Sequence, residues 1–265
     1  MLTHQHLPRL TALQRVKVLG VGVHTTNLEE AVSLSDRLLQ VGGRAYVCLT
    51  GVHGVMEAQR DPKLRRILNE AALCLPDGMP TVWVGRTQGF RNMARVYGPD
   101  YMLAMCSLSL ARRYTHFLYG GKPGVAAILK QQLEQRFANI RITGTYTPPF
   151  GPLSCQQEAE LLRRMAECRP DIVWVGLSTP KQEQFMAEYA PILNVGLMVG
   201  VGAAFDVHAG LITDSADWVK ACGLQWLDRL RKEPRRLWRR YALNNPAFVW
   251  NLALQATGLR DFDSE

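Results

Sequence analysis

The chain has 265 residues, of which 47% are hydrophobic and 20% are charged, and its formal net charge at pH 7 is +8. This hydrophobic content excludes a disordered protein and is sufficient for one large domain, or for one domain with an appendage. The excess of positive charge indicates an anionic partner, which could be a nucleic acid, a membrane surface or a phosphorylated substrate, and composition does not choose among them.

The six cysteines and the first residues of the chain predict a reduced, cytoplasmic protein. No C-x-x-C pair occurs, and several cysteines lie inside apolar stretches, so neither a disulfide framework nor a zinc site is expected. The start, MLTHQHLPRL, lacks the apolar core of a signal peptide. No stretch approaches the roughly 20 apolar residues of a membrane span.

The apolar runs and their separators predict strands that alternate with helices. Residues 16–23 predict a strand and residues 28–41 an amphipathic helix, with Thr26 or Asn27 as its cap. Residues 45–50 predict a second strand, and helices are expected to begin at Val52 and at Asp61-Pro62. Further strands are expected over 116–119, 140–146, 172–176 and 196–202, with helices over 101–113, 125–137, 158–168 and 181–189. This order predicts an α/β fold with a mostly parallel sheet and helices on both faces.

After Ala204 the pattern changes to basic helical segments. Residues 218–230 and 235–241 predict two helices divided by Pro234, with arginines interleaved with Trp226 and Trp238. This combination fits a helix at a membrane surface, with aromatic rings at the depth of the headgroups and guanidinium groups on lipid phosphates. No recognisable nucleic-acid-binding module accompanies it, so a membrane surface ranks above nucleic acid as the partner.

The stretch LCLPDGMPTVWVG places Asp77 where a short buried strand ends and a helix begins. In open α/β sheets, ligands collect at the carboxyl ends of the strands, so this carboxylate is a candidate general base. The alternative is that Asp77 only caps the helix that follows, since Asp is among the best N-cap residues.

Two loops at strand ends are candidate phosphate or substrate contacts. One holds Gly120, Gly121 and Lys122, and it could present backbone N–H groups and a positive charge to a phosphate. A plain tight turn explains it about as well. The other follows a strand and opens a helix with a lysine, which the helix dipole disfavours unless a site needs it. Its candidate residues are Gly176, Pro180, Lys181, Gln182 and Glu183, with simple solvent exposure as the alternative.

No cofactor or metal ion is predicted. The segment GVGAAF contains Gly202, kept as a substrate contact, but Phe205 stands where a dinucleotide fingerprint needs its third glycine. The histidines do not form ligand-spaced pairs, apart from His4 and His6 in the terminal segment. A D-x-D pattern at residues 261–263 lies in a polar tail and is interpreted as accidental.

Seven segments in order carry a resemblance to one family, the WecG/TagA/CpsF glycosyltransferases of bacterial surface-polysaccharide synthesis. The resemblance runs from about residue 47 to about residue 250. The segments are Thr50 with VHGVMEAQRDP, LPDGMPTVW, RVYGPD, FLYGGKPGV, VGLSTPKQE, VGVGAAFDVHAG and GLQWLDRLRKEPRRLWRRY.

The resemblance implies an inverting, metal-independent enzyme that moves a sugar from a UDP-sugar to a polyprenyl-diphosphate-linked saccharide. It implies a Rossmann-like domain, placed at residues 1–212, and a basic helical appendage over residues 213–265 that meets the membrane. The protein would then be peripheral on the cytoplasmic face of the inner membrane. The donor sugar stays open among N-acetylmannosamine, its uronic acid and glucose, and self-association also stays open.

The resemblance also implies roles for individual residues. Asp77 would be the general base, Thr50 a polar neighbour in its pocket, and Arg95 and Gln182 contacts to the donor or its diphosphate. Three arginines of the appendage would close over the diphosphate leaving group: Arg229, Arg236 and Arg239.

This chain departs from the family pattern after Thr50. Many members carry an Asn one or two residues later, where this chain has Gly51 and Val52, followed by His53. His53 is therefore a candidate substitute for that Asn. The rival interpretation of the whole chain is a non-catalytic module that binds a nucleotide or a nucleic acid through its basic helices.

Overall fold

The computed structural model describes residues 14–149 and 151–262. The first two strands, β1 (Arg15–Val18) and β2 (Val21–His24), form an antiparallel hairpin by themselves. The remaining strands are β3 (Ala45–Thr50), β4 (Leu73–Pro76), β5 (Thr115–Gly120), β6 (Arg141–Tyr146), β7 (Ile172–Gly176) and β8 (Leu197–Gly200). These six form one parallel sheet in the order β4-β3-β8-β7-β5-β6.

Helices connect the strands and continue beyond the last one. In chain order they are α1 (Leu28–Gln40), α2 (Val52–Arg60), α3 (Pro62–Glu70), α4 (Met79–Thr87), α5 (Gly98–Arg112), α6 (Val125–Arg136), α7 (Cys155–Cys168), α8 (Lys181–Tyr189), α9 (Ala204–His208), α10 (Asp217–Ala221), α11 (Gln225–Lys232) and α12 (Pro234–Ala256).

The sheet is buried on both faces, which explains why its central strands are continuous apolar runs. Successive side chains point to opposite faces, so Tyr46 and Cys48 belong to one core layer and Val47 and Leu49 to the other. Helices α2, α3, α7 and α8 cover the first layer, and α1, α5 and α6 cover the second. The predicted α/β architecture is confirmed.

The prediction of one strand over residues 16–23 is wrong, because the chain reverses in the middle of that run. Leu19 and Gly20 have φ angles of 51° and 76°, and they form the two-residue turn of the hairpin. A Cβ on Gly20 would lie 2.3 Å from the carbonyl oxygen of Phe262, so this glycine also makes room for the C-terminal tail. Phe262 itself is 3% exposed and packs into the first core layer.

The C-terminal helices differ from the prediction at two points. The helix expected over 218–230 is divided into α10 and α11 at Gly223, whose φ is 72°. The helix expected to end at Tyr241 continues to Ala256 and contains Pro246. Pro246 and Ala242 are exposed, so water can satisfy the carbonyl that loses its helical hydrogen bond.

Helix α12 packs against α2 and α11, and its buried residues Leu237, Asn244 and Phe248 lie on one side. Burial of this side stabilises the helix past a proline that the sequence alone reads as a stop signal. Among the helices of the described residues, none has the length and apolarity that crossing a bilayer requires.

Candidate active site

A cavity of about 900 Å³ opens at the carboxyl ends of β3 and β4, between α4 and α12. Its lining is polar near the strand ends and apolar between the two helices. Three of the residues singled out in the sequence line it together, although they are far apart along the chain: Asp77, Arg95 and Arg229.

Asp77 stands in the turn that joins β4 to α4. Its backbone N–H donates to the carbonyl of Thr50, 3.1 Å away, and its carboxylate accepts from the backbone N–H of Gly98 at 3.3 Å. The N-cap position of α4 belongs to Gly78, and no side chain caps that helix. Asp77 therefore faces the cavity, and the alternative that it serves only as a helix cap is not what the structure shows.

The surroundings of Asp77 raise the pKa of its carboxyl group toward neutral pH. Burial raises the pKa of this carboxyl to about 6, against the opposing effects of Arg95, of the Gly98 N–H, and of Arg229 and Arg240. Above pH 6 the group is a carboxylate, and its pKa is close enough to neutral pH for it to accept a proton effectively.

Two side chains, those of Gln225 and Tyr97, hold Arg95 at the cavity. Its Nη1 donates to Oε1 of Gln225 at 2.8 Å, and its guanidinium lies 4.5 Å from the centroid of the Tyr97 ring. The Tyr97 hydroxyl in turn donates to Asp214, 2.9 Å away, and Lys220 donates to the same carboxylate at 3.1 Å. These contacts join the loop before α5 to the first two helices of the appendage.

Arg240 also lines the cavity, and the sequence reasoning missed it. Its Nε is buried and has no hydrogen-bond partner among the residues that the structure describes. Burial lowers the pKa of this guanidinium, as do Arg229 and Arg236, while Asp77 raises it. The sequence could have indicated Arg240 if the helical pattern had been followed beyond Tyr241. Residue 240 lies three positions after Leu237 and four before Asn244, which places it on the buried side of α12.

His53 lines the cavity on the first turn of α2. Asn244 Nδ2 lies 3.1 Å from His53 Nδ1, and Asn244 Oδ1 accepts from Arg60 at 2.8 Å. Burial, followed by the charge of Arg240, lowers the pKa of His53 to about 4, so the ring is neutral at physiological pH. Its substitution for the family's Asn remains a prediction, which its place at the cavity supports.

Three predicted polar residues lie behind the cavity wall. Thr50 is 2% exposed and accepts a hydrogen bond from the Cys74 thiol, 3.4 Å away. Gln182 and Glu183 are buried on α8, where Gln182 Nε2 donates to Glu183 Oε1 at 3.0 Å. Burial raises the pKa of Glu183, and its second carboxyl oxygen has no partner. Their neighbour Thr179 is the residue of that loop that reaches the cavity.

The glycine loops have a packing explanation that does not involve this cavity. A Cβ on Gly120 would lie 2.9 Å from the carbonyl oxygen of Gly176, and one on Gly176 would lie 2.8 Å from the ring of Phe205.

Arg236 pairs with Glu233 at 2.7 Å. The predicted contacts that lie outside the cavity lining are Gly120, Gly121, Lys122, Gly176, Pro180, Lys181, Gly202, Arg236 and Arg239.

No three His, Cys, Asp or Glu side chains gather closely enough to hold a metal ion within residues 14–149 and 151–262. The histidine pair His4 and His6, and Asp263 of the D-x-D pattern, lie outside the described residues. The cavity lining offers the carboxylate of Asp77, three guanidinium groups, the ammonium of Lys220 and neutral polar groups, which suit proton transfer and the binding of an anion.

The chain is similar to two curated bacterial proteins. It is 28% identical over 174 residues to the N-acetylglucosaminyldiphosphoundecaprenol N-acetyl-beta-D-mannosaminyltransferase of Bacillus subtilis (strain 168), a stretch that spans 66% of either chain. It is 29% identical over 193 residues to the protein of the same name from Bacillus spizizenii (strain ATCC 23059 / NRRL B-14472 / W23), which covers 73% of this chain and 72% of that one.

A family model matches nearly the whole described chain, from residue 16 to residue 261. The match includes the turn that carries Asp77, the loop that carries Arg95 and the helices that carry Arg229 and Arg240. The resemblance drawn from the seven motifs is confirmed, and the chain belongs to the glycosyl transferase WecG/TagA/CpsF family.

Proposed function

We propose that this glycosyltransferase moves a sugar from a UDP-sugar to a polyprenyl-diphosphate-linked saccharide in the synthesis of a bacterial surface polysaccharide, with inversion at the anomeric carbon. The observation that carries the proposal is the carboxylate of Asp77, with a pKa of about 6, in a cavity that it shares with Arg95, Arg229 and Arg240. The acceptor follows the names of the two Bacillus relatives, which specify N-acetylglucosaminyldiphosphoundecaprenol.

The reaction is a single displacement. Asp77 takes the proton of the acceptor hydroxyl as its oxygen bonds to the anomeric carbon of the donor sugar. The bond from that carbon to the diphosphate oxygen breaks with its electron pair, and UDP departs as an anion. The three guanidinium groups stabilise the charge that builds on the diphosphate, which is the part of the transition state most in need of stabilisation.

Arg229 and Arg240 reach the cavity from the appendage, and Arg95 reaches it from the core. Arg236 and Arg239 remain predicted lid residues, and their approach to the diphosphate would need the first turns of α12 to turn inward. Thr50, Gln182 and Glu183 would act by supporting the strand ends beneath the substrate. Gly120, Gly121, Lys122 and the other loop residues stay predictions for the donor side.

The outer side of α12 supports a peripheral location on the cytoplasmic face of the inner membrane. Leu243 and Trp250 are 64% and 66% exposed there, and Arg235 and Arg239 are exposed on the same helix. Large apolar side chains flanked by arginines match the boundary between headgroups and acyl chains of an anionic membrane. The enzyme would thus work where its lipid-linked acceptor is embedded.

The test is UDP release from a panel of UDP-sugars, offered with an analogue of polyprenyl-diphosphate-linked N-acetylglucosamine. We expect UDP-N-acetylmannosamine to be the best donor, because both relatives are named as N-acetylmannosaminyltransferases. The uronic acid and glucose donors are the comparisons. Salt-sensitive binding to DNA or RNA without UDP release would favour the rival interpretation of a binding module instead.

Replacement of the base gives the sharpest single result. Asp77→Asn should lower kcat by about 10²- to 10⁴-fold, the usual contribution of a positioned general base, while UDP binding changes little. Both quantities are measured on one preparation, by UDP release and by calorimetric titration with UDP. Transfer by the Asp77→Asn enzyme at the normal rate would remove the assignment of Asp77.

A further inference from the structure

The part of the cavity between α4 and α12 contains a cluster of apolar side chains, bordered by the polar residues Thr87, Gln88, Asn245 and Gln255. This cluster is called the apolar channel here. Its residues are Met79, Trp83, Val84, Phe248, Val249 and Leu252.

The apolar channel is built from the inside outward. Phe248 is 3% exposed and anchors α12 in the core, and Met79, Val84 and Leu252 are partly buried against the same core layer. Trp83 and Val249 are 47% and 67% exposed and mark the outer end. The channel thus runs from the interior, close to Asp77, to the surface.

Helical geometry places the outer end of the channel beside the exposed side of α12. Val249 and Trp250 are consecutive, so their side chains leave the helix about 100° apart. Val249 lines the cavity, whereas Trp250 lies outside its lining and is equally exposed. The two exposed side chains are therefore neighbours on the helix surface, but only Val249 faces the cavity.

The cavity as a whole has the polarity of an amphiphile. Asp77 and three guanidinium groups lie near the strand ends, and the apolar channel, with Thr87, Gln88, Asn245 and Gln255 at its border, lies between the two helices. A free sugar nucleotide would leave most of the apolar channel unfilled, because the faces of its uracil ring are its only extended apolar surface. A saccharide joined through a diphosphate to a hydrocarbon chain matches both halves in order.

We propose that the apolar channel binds the first isoprene units of the acceptor's lipid, next to its diphosphate. This rests on the proposed function and deepens it, since it assigns part of the acceptor to Val249, Leu252 and their neighbours. The protein then recognises the lipid itself, and the membrane is not the sole contact of the hydrocarbon chain.

Binding tests the proposal without catalysis. Farnesyl diphosphate and inorganic diphosphate are titrated separately into the wild-type protein in detergent-free buffer, and affinity is measured by calorimetry. We expect farnesyl diphosphate to bind at least tenfold more tightly, because burial of several apolar carbons is favourable. Equal affinities would overturn the proposal.

A matched pair of variants localises the effect. Val249→Gln places a polar side chain in the channel, and we expect it to weaken farnesyl diphosphate binding about tenfold while inorganic diphosphate binding is unchanged. Trp250→Gln changes an equally exposed neighbour outside the lining and should alter neither affinity. Because both positions are exposed, neither change should disturb folding, and thermal unfolding checks this. A loss of affinity in Trp250→Gln alone would place the lipid elsewhere and overturn the proposal.

Turnover separates this proposal from the proposed function. Acceptors with the same saccharide diphosphate carry either a farnesyl or a methyl group, and Val249→Gln should raise KM only for the farnesyl acceptor. A KM that rises equally for both would contradict the channel assignment. An absence of transfer with every donor and acceptor, together with normal binding of farnesyl diphosphate, would overturn the proposed function and leave the channel supported.

Discussion

The carboxyl group of Asp77 titrates close to the pH at which the enzyme would work. Burial raises its pKa to about 6, so protonation switches the base off as the pH falls through that value. We expect kcat/KM to be constant above about pH 7 and to fall tenfold per pH unit below about pH 6. Initial rates of UDP release across this range check the expectation, and an unchanged rate at pH 5 would contradict it.

The same titration of Asp77 should appear in the free energy of unfolding, which can be measured independently of the reaction rate. Folding raises the pKa of Asp77 from 3.8 to about 6, so the charged form is disfavoured in the folded state. The resulting penalty is absent well below pH 4, grows between pH 4 and 6, and reaches at most about 3 kcal/mol above that. Asp77→Asn should therefore raise Tm by a few degrees at neutral pH and by much less near pH 4, as measured by thermal unfolding.

A comparison of two adjacent arginines of α12 tests which side of the helix faces the diphosphate. Arg240 lines the cavity with an unpartnered Nε, whereas Arg239 lies outside the lining with its guanidinium 5.3 Å from the centroid of the Trp238 ring. We expect Arg240→Gln to lower kcat/KM about 10²-fold, the usual cost of losing a preorganised donor to the leaving group, and to do so more than Arg239→Gln. Steady-state rates in detergent measure both. A larger loss for Arg239→Gln would favour an inward turn of the helix during the reaction.

At the scale of elements, Asp214 fastens the appendage to the core. It accepts hydrogen bonds from Tyr97, Lys220 and the backbone of Ser215. Burial opposes its charge, but the bonds from Lys220 and Tyr97 outweigh that effect and hold its pKa below the usual value. The carboxylate therefore stays charged near neutral pH and keeps the loop of Arg95 next to helix α11.

Removal of this link should loosen the appendage without touching the base. We expect Asp214→Ala to lower kcat about tenfold and to lower Tm, because Tyr97 and Lys220 lose a partly buried partner. Asp217→Ala is the control, since Asp217 also pairs with Lys220 at 2.8 Å but its side chain is 98% exposed. Limited proteolysis of the segment before α11 measures the loosening. Equal behaviour of the two variants would show that Asp214 has no special part.

The sequence predicts elements well where one local rule decides and poorly where packing decides. Buried strands such as β3 and β7 are continuous apolar runs bounded by glycine, so their type and position follow directly. The reversal at Leu19 has no proline or Asn-Gly signal, and the extension of α12 past Pro246 depends on burial of Asn244 and Phe248. Neither feature has a local cause that could be recognised beforehand.

At the scale of the whole molecule, the residues themselves indicate Asp77, and the family resemblance implies Arg95 and Arg229, whereas neither indicates Arg240. Asp77 follows the rule that ligands collect at the carboxyl ends of parallel strands, whereas Arg95 lies in the loop before α5 and is implied only by the family resemblance. Arg229 and Arg240 are more than 130 residues from Arg95. The hydrogen bond from Arg95 to Gln225 of α11 and the packing of α12 on α2 bring them to it. The helical phase that separates Arg240 from Arg239 could not be fixed while the helix was expected to stop at Tyr241.

Helix α12 is fastened at both of its ends. Near its start it packs against α11, whose Gln225 bonds to Arg95 and Asp214. Near its finish Gln255 accepts a hydrogen bond from the Leu19 N–H at 2.9 Å, and Phe262 packs into the core layer that contains the hairpin. A helix anchored at both ends can twist or bend, but it cannot rotate away from the core as a rigid body about one end. The lipid chain would therefore enter laterally, between α4 and α12, from the membrane on which the enzyme is proposed to lie. On this route its hydrocarbon would not pass through bulk water.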